Sequence, residues 1–376
     1  MEYVFWIALL AVVYSYFGYP LILMALERLA PRPIVRVAPG FTPSVTIIVP
    51  AYNEATVIGR KLENLLNLEY PLERLQIIVV SDGSTDATDS VVEAAANDGR
   101  LTLIRVAERR GKANALNVGL TAATGEIVVF SDSSIMLDPN ALRAIVVPFG
   151  DPAVGCVSGE DHIPEGGGEG LYGRYELFLR NRESAIGSIV GASGSFYAQR
   201  RDLCQPFVDG LAPDFLSVLN TVEAGYRAVT EPAAFGIMSA VRNPGEEFSR
   251  KVRTLLRGMT TLWEKRMLLN PLRYGRFAWV LLSHKVIRWL VPLFLVLLLL
   301  SGMALAKHPF YLVMLMLQCL FYGVAVLAWR RVSGLQDRVL GKVPLYFSAA
   351  NLAVAVAWAK FLLGTRQEIW EPSRRK

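Results

Sequence analysis

Long apolar segments at both ends of the chain constrain its structure more than any other feature. Residues 3–26 contain no charged side chain. A helix needs about twenty apolar residues to cross the hydrocarbon core of a bilayer. The sequence therefore predicts a transmembrane anchor within residues 1–28 and two or three transmembrane helices within residues 286–363. The apolar segments of this second region are 286–306, 309–329 and 345–363.

The charges beside these segments predict their orientation. Glu2 precedes the first segment, and Arg28 and Arg32 follow it, which differs from the basic front and the cleavage site of a signal peptide. Because basic residues favour the cytoplasmic side, we expect an uncleaved anchor of the inner (plasma) membrane, followed by a cytoplasmic middle part. Three further spans place the carboxyl terminus outside, whereas the basic tail, residues 364–376, favours the inside.

The net charge of +6 is unevenly distributed. Residues 242–376 hold 21 Lys and Arg against 6 Asp and Glu, so the basic charge lies beside the apolar segments. Anionic lipid head groups attract such residues, and we expect membrane lipids among the partners. The polar middle part has no basic stripe interleaved with aromatic residues, so we expect no nucleic-acid partner.

The polar middle part, residues 44–240, alternates short β-branched runs with helical patterns. Such alternation predicts an α/β domain with a mainly parallel sheet, helices on both faces and a ligand at the carboxyl ends of the strands. Residues 245–275 then alternate apolar and basic side chains at helical spacing, which predicts amphipathic helices on a membrane surface. The predicted strands are 45–50, 75–82, 101–106 and 126–132, and the predicted helices are 54–67, 87–98 and 112–123.

Polar residues cluster where the predicted strands end. Asn53 and Glu54 follow the first strand, where they bind a base or ribose or cap the next helix. Asp82 and Asp132 each end a strand, and a buried carboxylate there caps a turn or binds a positive group. Lys112 opens a helix after a glycine, which fits a phosphate site or a solvated lysine. The three histidines, His162, His284 and His308, are too scattered to predict a ligand set.

Taken in order, these motifs resemble family-2 glycosyltransferases of GT-A fold. The resemblance covers roughly residues 44–240, and the flanking apolar segments resemble the membrane-bound branch that makes bacterial exopolysaccharide. The motifs that carry it are "TIIVPAYNEATVIGRKLENLLNLEYP", "IIVVSDGSTDAT", "RRGKANALNVGLTAATGEIVVFSDSS", "GASGSFYAQRRDL" and "APDFLSVLNTVEAGYRAVTEPAA".

The resemblance implies a role for each motif. Asp82 would contact the base of a nucleotide-sugar, Lys112 would contact the nucleotide, and Asp132 would match the first acid of a DxD motif that binds Mg²⁺ or Mn²⁺. Ser134 stands at the third DxD position, so a second acid is missing there. The turn framing the nucleoside would comprise Ala51, Tyr52, Asn53 and Glu54, and the hydroxyls beside the metal would be those of Ser131, Ser133 and Ser134.

The acceptor side is implied by later motifs. Asp214 would be the catalytic base, with a helix N-cap as the alternative, and Pro213 replaces the first acid of the usual pair. Gly194 would lie under the donor sugar or acceptor, unless its segment is a plain turn. Arg253 and Arg257 stand where processive relatives carry Gln-x-x-Arg-Trp, and they would meet a diphosphate, a lipid phosphate or lipid head groups.

We therefore expect a membrane-bound inverting glycosyltransferase that moves a sugar from a nucleotide-sugar, with UDP-sugars favoured, to a lipid-linked or growing polysaccharide acceptor at the cytoplasmic face. Two alternatives remain at this point. One is a polyprenyl-phosphate sugar synthase, and the other is a non-catalytic nucleotide-sugar-binding subunit that works with export-complex proteins.

Overall fold

A computed structural model describes residues 1–35, 40–96, 99–163, 168–239 and 244–365. Most of the basic tail, whose placement the sequence left open, lies outside these described residues.

The middle part of the chain contains one eight-stranded sheet with strand order β3-β2-β1-β4-β7-β6-β8-β5. Strands β1 to β4 pair in parallel, as predicted, and β1, β2 and β4 are β-branched runs buried on both faces, whereas β3 at the edge is partly exposed. The predicted α/β class with a mainly parallel sheet is confirmed. The strands are β1 Val45–Ala51, β2 Leu75–Asp82, β3 Leu101–Val106, β4 Ile127–Ser131, β5 Ile135–Leu137, β6 Val154–His162, β7 Phe196–Arg200 and β8 Arg227–Met238.

Strand β7 changes the direction of the sheet. It lies between β4 and β6 and pairs antiparallel with both. The start of β7 therefore lies at the same sheet edge as the end of β4, and the backbone N–H of Asp132 donates to the carbonyl of Ser195 there (3.0 Å). This pairing brings together two predicted site segments that are about sixty residues apart in sequence.

Helices cover the sheet and form the two ends of the chain. The helices of the middle part are α3 Ile58–Leu66, α4 Thr88–Ala95, α5 Lys112–Ala122, α6 Ala141–Val146, α7 Gly168–Ile186 and α8 Pro213–Glu223. The first apolar helix comprises α1 Glu2–Val13, a π-helical turn Tyr14–Gly18 and α2 Tyr19–Leu29, and the later helices are α9 Pro244–Glu264, α10 Pro271–Tyr274, α11 Arg276–Leu281, α12 Arg288–Ala304, α13 Pro309–Trp329 and α14 Val339–Leu362.

Helix α3 begins four residues later than the predicted segment 54–67. The residues before it form a turn in which the Glu54 carbonyl accepts hydrogen bonds from the backbone N–H groups of Val57 and Ile58. The side chains of Ser84, Asp86 and Thr88, which follow β2, accept hydrogen bonds from the backbone of this turn. A contact between such distant segments is not visible in a local helical pattern.

Among the residues that the structure describes, four helices are long and apolar enough to cross a membrane, namely Glu2–Leu29, Arg276–Ala304, Pro309–Trp329 and Val339–Leu362. The second begins ten residues before the predicted segment 286–306, because a π-helical turn, Leu282–Ile287, joins α11 to α12. That turn carries His284 and Lys285, which the sequence had placed outside the apolar segment.

The apolar helices pack against the middle part of the chain. One buried cluster contains Tyr19 and Leu23 of the first helix, Leu179 of α7, Leu281 of α11 and Ala353 of α14. Helix α9 buries Val252, Leu256 and Met259 against protein, whereas Trp263 at its end is exposed. Part of the predicted amphipathic segment thus packs on the rest of the chain, and its position at a membrane surface stays a prediction.

Candidate active site

The turn after β1 is tied to the turn after β2 by side chains. Asn53 has a positive φ of 51°, and its Oδ1 accepts a hydrogen bond from the backbone N–H of Thr85 (2.8 Å). The Asp86 carboxylate accepts hydrogen bonds from the backbone N–H groups of Ala55 and Thr88. The side chain of Asn53 therefore holds the two turns together instead of capping α3, and it shapes the edge where a nucleoside is expected.

Asp82 fixes the loop that leads into α5. Its two oxygens accept hydrogen bonds from the backbone N–H groups of Arg110 (3.0 Å) and Gly111 (2.6 Å), and the side chain is buried. The Arg109 guanidinium lies 3.9 Å from the centre of the Tyr52 ring, so the loop also covers the β1 turn. The structure thus places Asp82, Tyr52 and the start of α5 together, while the predicted base contact of Asp82 remains a prediction.

Lys112 and Asp132 form an ion pair at the centre of the edge. Lys112 Nζ lies 2.5 Å from Asp132 Oδ1 and donates to the Gly194 carbonyl (3.3 Å). The lysine is therefore not a solvated surface residue. A cation that already neutralises Asp132 and lies at a helix start is well placed to meet an anionic phosphate.

Lys61 is a site residue that the sequence analysis missed. Its side chain is fully buried, and Nζ donates to Ser131 Oγ (2.8 Å) and to the Ile135 carbonyl (2.6 Å). Burial lowers the pKa of Lys61 to about 7, and the charge of Asp132 opposes that shift. Lys61 lies on the buried stripe of α3 beside Leu62, and a lysine at a predicted core position is the signal that identifies it.

The residues around Asp132 fit a divalent cation that is shared with a diphosphate. Burial raises the pKa of Glu54, a hydrogen bond with Ser133 lowers it, and the charge of Asp132 raises it again, so the two acidic groups lie close together. No group of three or more His, Cys, Asp or Glu side chains within the described ranges forms a complete metal site. Mg²⁺ commonly uses one or two carboxylates together with substrate phosphates as its ligands. The carboxylates of Asp132 and Glu54 meet that requirement.

Asp214 faces the same cleft from the other side. It lies in the first turn of α8, and a Cβ atom built on Gly194 would be 3.7 Å from its Cγ. Burial raises the pKa of Asp214, while the charges of Lys112 and Lys285 act in the opposite direction. Asp132, Lys112, Gly194 and Asp214 line one cleft, so the structure brings these predicted residues together.

The two predicted phosphate-binding arginines, Arg253 and Arg257, lie on helix α9. Burial lowers the pKa of Arg257, and the negative charge of Asp214 opposes the shift, so Arg257 lies within electrostatic range of the predicted base. Arg253 precedes it by four residues on the same helix. Arg257 therefore faces the middle part of the chain, not lipid head groups alone.

A buried charged cluster joins α7 to the second apolar helix, and we call it the α7 cluster. His284 Nδ1 lies 2.5 Å from Glu183 Oε1, and His284 Nε2 lies 3.0 Å from Glu176 Oε2. Tyr19 donates to Glu183 (2.6 Å), and Arg288 pairs with Glu176. The sequence analysis did not assign His284 a role, although an ionisable residue inside an apolar helix is a signal for one.

The mainly parallel sheet with acidic and basic groups at one edge is the arrangement expected of a GT-A fold. Residues 46–205 match the model of the family described as Glycosyl transferase family 2. This part of the chain is a family-2 glycosyltransferase domain, and the resemblance seen in its motifs is confirmed.

Two curated relatives are polysaccharide synthases. The chain is 26% identical over 267 residues to a poly-beta-1,6-N-acetyl-D-glucosamine synthase of Staphylococcus aureus, covering 68% of this chain and 63% of that relative. A synthase of the same name from Staphylococcus epidermidis is 29% identical over 146 residues, covering 39% of this chain and 31% of the relative. The chain thus spans less than two thirds of the length of these relatives.

A solved structure matches nearly the whole chain. It is a mannosyltransferase from Pyrobaculum calidifontis in complex with GDP-mannose and Mn²⁺, with a TM-score of 0.75 and 27% identity. The match covers 96% of this chain and 100% of the mannosyltransferase chain, so it includes the apolar helices. Together with the four apolar helices, these relatives indicate a membrane protein.

Proposed function

We propose that this protein is a membrane-bound inverting glycosyltransferase that uses a nucleotide-sugar donor and a lipid-linked or growing glycan acceptor at the cytoplasmic face. The observation that carries the proposal is the single cleft in which Asp132 and Lys112 lie on one side and Asp214 on the other. A donor diphosphate needs positive charge, and an acceptor hydroxyl needs a base.

The residues divide between the two substrates. Lys112, at the start of α5, holds the donor diphosphate, and Asp82 fixes the loop that positions this lysine. Asp214 removes the proton of the acceptor hydroxyl while that oxygen forms a bond to the anomeric carbon. The bond from this carbon to the diphosphate oxygen breaks, and its electron pair leaves with the nucleoside diphosphate. One direct displacement of this kind inverts the anomeric centre.

Asp132 would hold the divalent cation, with Glu54 and the hydroxyls of Ser133 and Ser134 beside it. A cation bound there supplies positive charge that stabilises the departing diphosphate. The Mn²⁺ in the Pyrobaculum complex supports this assignment. The Lys112 ammonium pairs with Asp132 and so contributes a second positive charge beside this position.

The relatives support two classes of donor. The staphylococcal synthases are named for a polymer of N-acetylglucosamine, which supports a UDP-sugar, and the Pyrobaculum enzyme is bound to GDP-mannose. The presence of Asp214 in the same cleft as Asp132 favours an enzyme over a subunit that only binds nucleotide-sugar.

The test is a donor panel with the full chain in nanodiscs. UDP-N-acetylglucosamine, UDP-glucose and GDP-mannose are each supplied with Mn²⁺ and a membrane lipid extract, and release of nucleoside diphosphate is measured. We expect release with one donor and its loss in Asp132→Ala. Asp202→Ala is the matched control, since Asp202 is exposed beyond the far end of β7. Nucleotide binding without release for every donor would contradict the proposal.

A further inference from the structure

Lys285 extends from the second apolar helix toward the catalytic cleft. Its Nζ lies 5.6 Å from the centre of the Phe215 ring, and a Cβ atom built on Gly191 would be 3.8 Å from the same nitrogen. Phe215 directly follows Asp214 in α8, and the charge of Lys285 acts on Asp214, so the ammonium lies within electrostatic range of the predicted base. A charged residue on an apolar helix that faces the protein interior is a functional-site candidate by default.

The carboxylates near Lys285 are already occupied. Glu176 pairs with Arg288 and His284, and Glu183 accepts hydrogen bonds from Tyr19 and the backbone of Val190 and contacts His284. Within the described part of the chain, Lys285 itself makes no hydrogen bond or ion pair. The carboxylates of the α7 cluster are thus bonded to other residues of that cluster. The Lys285 ammonium is not bonded to them and lies beside Phe215, near the cleft.

The π-helical turn Leu282–Ile287 accounts for this arrangement. It places two consecutive ionisable residues in different environments, with His284 against α7 and Lys285 against Phe215. Single π-helical turns inside α-helices occur frequently at functional sites. The π-helical turn therefore contains Lys285, the residue that extends toward the cleft.

A second cation lies near the same wall. Arg257 of α9 lies within electrostatic range of Asp214, and its buried Nε has no hydrogen-bond partner among the described residues. A buried guanidinium N–H without a partner is costly, and an anionic ligand would satisfy it. Lys285 and Arg257 come from two different helices that pack beside the apolar end of the molecule.

We propose that Lys285 is a specificity-determining residue that binds the phosphate group of a lipid acceptor. This inference rests on the proposed function and names the acceptor class for it. The ligand is an anion because the unpaired groups are cations, and it carries an apolar tail because Lys285 belongs to a helix of membrane-spanning length. The donor diphosphate is assigned to other residues, the ion-paired Lys112 and Asp132.

The experiment measures lipid binding by the full chain with native mass spectrometry in neutral detergent. The probes are polyprenyl phosphate and uncharged polyprenol, with phosphatidylglycerol as a competing head-group lipid. The variants are Lys285→Met, Lys285→Gln and Lys285→Arg. Lys360→Met is the matched control, because Lys360 is an exposed lysine near the end of another apolar helix. Nucleoside diphosphate affinity is measured for every variant.

We expect the wild type to prefer polyprenyl phosphate to polyprenol. The Met and Gln variants should bind the phosphate lipid roughly ten- to a hundredfold more weakly, as expected for the loss of a charge-assisted hydrogen bond, and Lys285→Arg should restore most of the affinity. Nucleotide affinity should change by less than about twofold, which also shows that the variants fold.

Three results would overturn the inference. The first is that both neutral variants bind the phosphate lipid as tightly as the wild type. The second is a parallel fall in nucleotide affinity, which would assign Lys285 to the donor. The third is equally effective displacement of the probe by phosphatidylglycerol, which would indicate head-group binding only. None of these measurements needs turnover. A wild type that binds polyprenyl phosphate but releases no nucleotide in the donor panel would contradict the proposed function alone.

Discussion

At the scale of single residues, the cleft combines groups whose usual charge states are disfavoured. Asp214 is a carboxylate whose pKa is raised by burial, and Lys61 is an amine whose pKa is lowered by burial. Perturbed groups of this kind concentrate at catalytic sites, where they reduce the stability of the fold.

Asp214→Asn should therefore reduce activity without reducing stability. Removal of a general base is expected to lower kcat by about a hundred- to ten-thousandfold. Because the folded-state pKa of Asp214 is raised, its favourable contribution to stability exists at low pH and is lost as the pH rises through that pKa. At neutral pH, the melting temperature of Asp214→Asn should thus equal or exceed that of the wild type.

The pH dependence of transfer provides the second measurement on this residue. The base acts only when ionised, so the acidic limb of the kcat profile should lie above the pKa of an ordinary aspartate. Asp202→Asn serves as the control and should retain the wild-type profile. A full loss of activity together with a lower melting temperature would indicate a structural role for Asp214 instead.

At the scale of elements, strand β6 packs closely against its neighbours at Gly159. A Cβ atom there would clash with the Phe196 ring and would lie 2.7 Å from the Ala234 carbonyl oxygen. Phe196 is fully buried at the start of β7, the strand that leads out of the cleft, so it has no space into which to move.

Gly159→Ala should consequently lower stability by about 1–3 kcal/mol through overpacking. The matched variant is Gly173→Ala in α7, where a Cβ atom meets nothing within 4 Å and alanine favours the helix. Thermal melting in nanodiscs should show a lower melting temperature for the first variant and an unchanged or higher one for the second. Equal melting temperatures would disprove the close packing of β6 against β7.

The sequence pattern of a single segment predicted those strands and helices whose limits are set by residues of the same segment. The parallel strands β1 to β4 and helix α5 were predicted within one or two residues, because each is a continuous run with clear turn residues at its ends. The antiparallel insertion of β7, the burial of Lys61 and the charged partners of His284 were not predicted. Each depends on a contact between distant segments, which the periodicity of one segment does not encode.

At the scale of the whole molecule, the loops between the apolar helices indicate the orientation of the protein. The segment between α13 and α14 carries Arg330, Arg331 and Arg338 with one acidic residue, whereas the segment between α12 and α13 carries Lys307. By the positive-inside rule, we predict that the loop between α13 and α14 lies on the cytoplasmic side, together with the cleft.

Cysteine labelling tests this orientation. In a background without Cys156, Cys204 and Cys319, Lys307→Cys should react with a membrane-impermeant maleimide in intact cells. Asp337→Cys should react only after the cells are permeabilised, because it lies in the basic loop. Both positions are exposed in the structure, so burial does not limit labelling. The reverse pattern would place the cleft outside the cell.

The order of the parts along the chain has a consequence for how such enzymes diversify. The donor side of the cleft is encoded without interruption between β1 and Asp132, and Asp214 and Lys285 follow later. Exchange between relatives of the part that contains Asp214 and Lys285 would thus change the acceptor preference and keep the donor preference. The first apolar helix is the exception, since Tyr19 bonds to Glu183 in the later part. A working chimera should therefore take both ends of the chain from one parent and only the nucleotide-facing centre from the other.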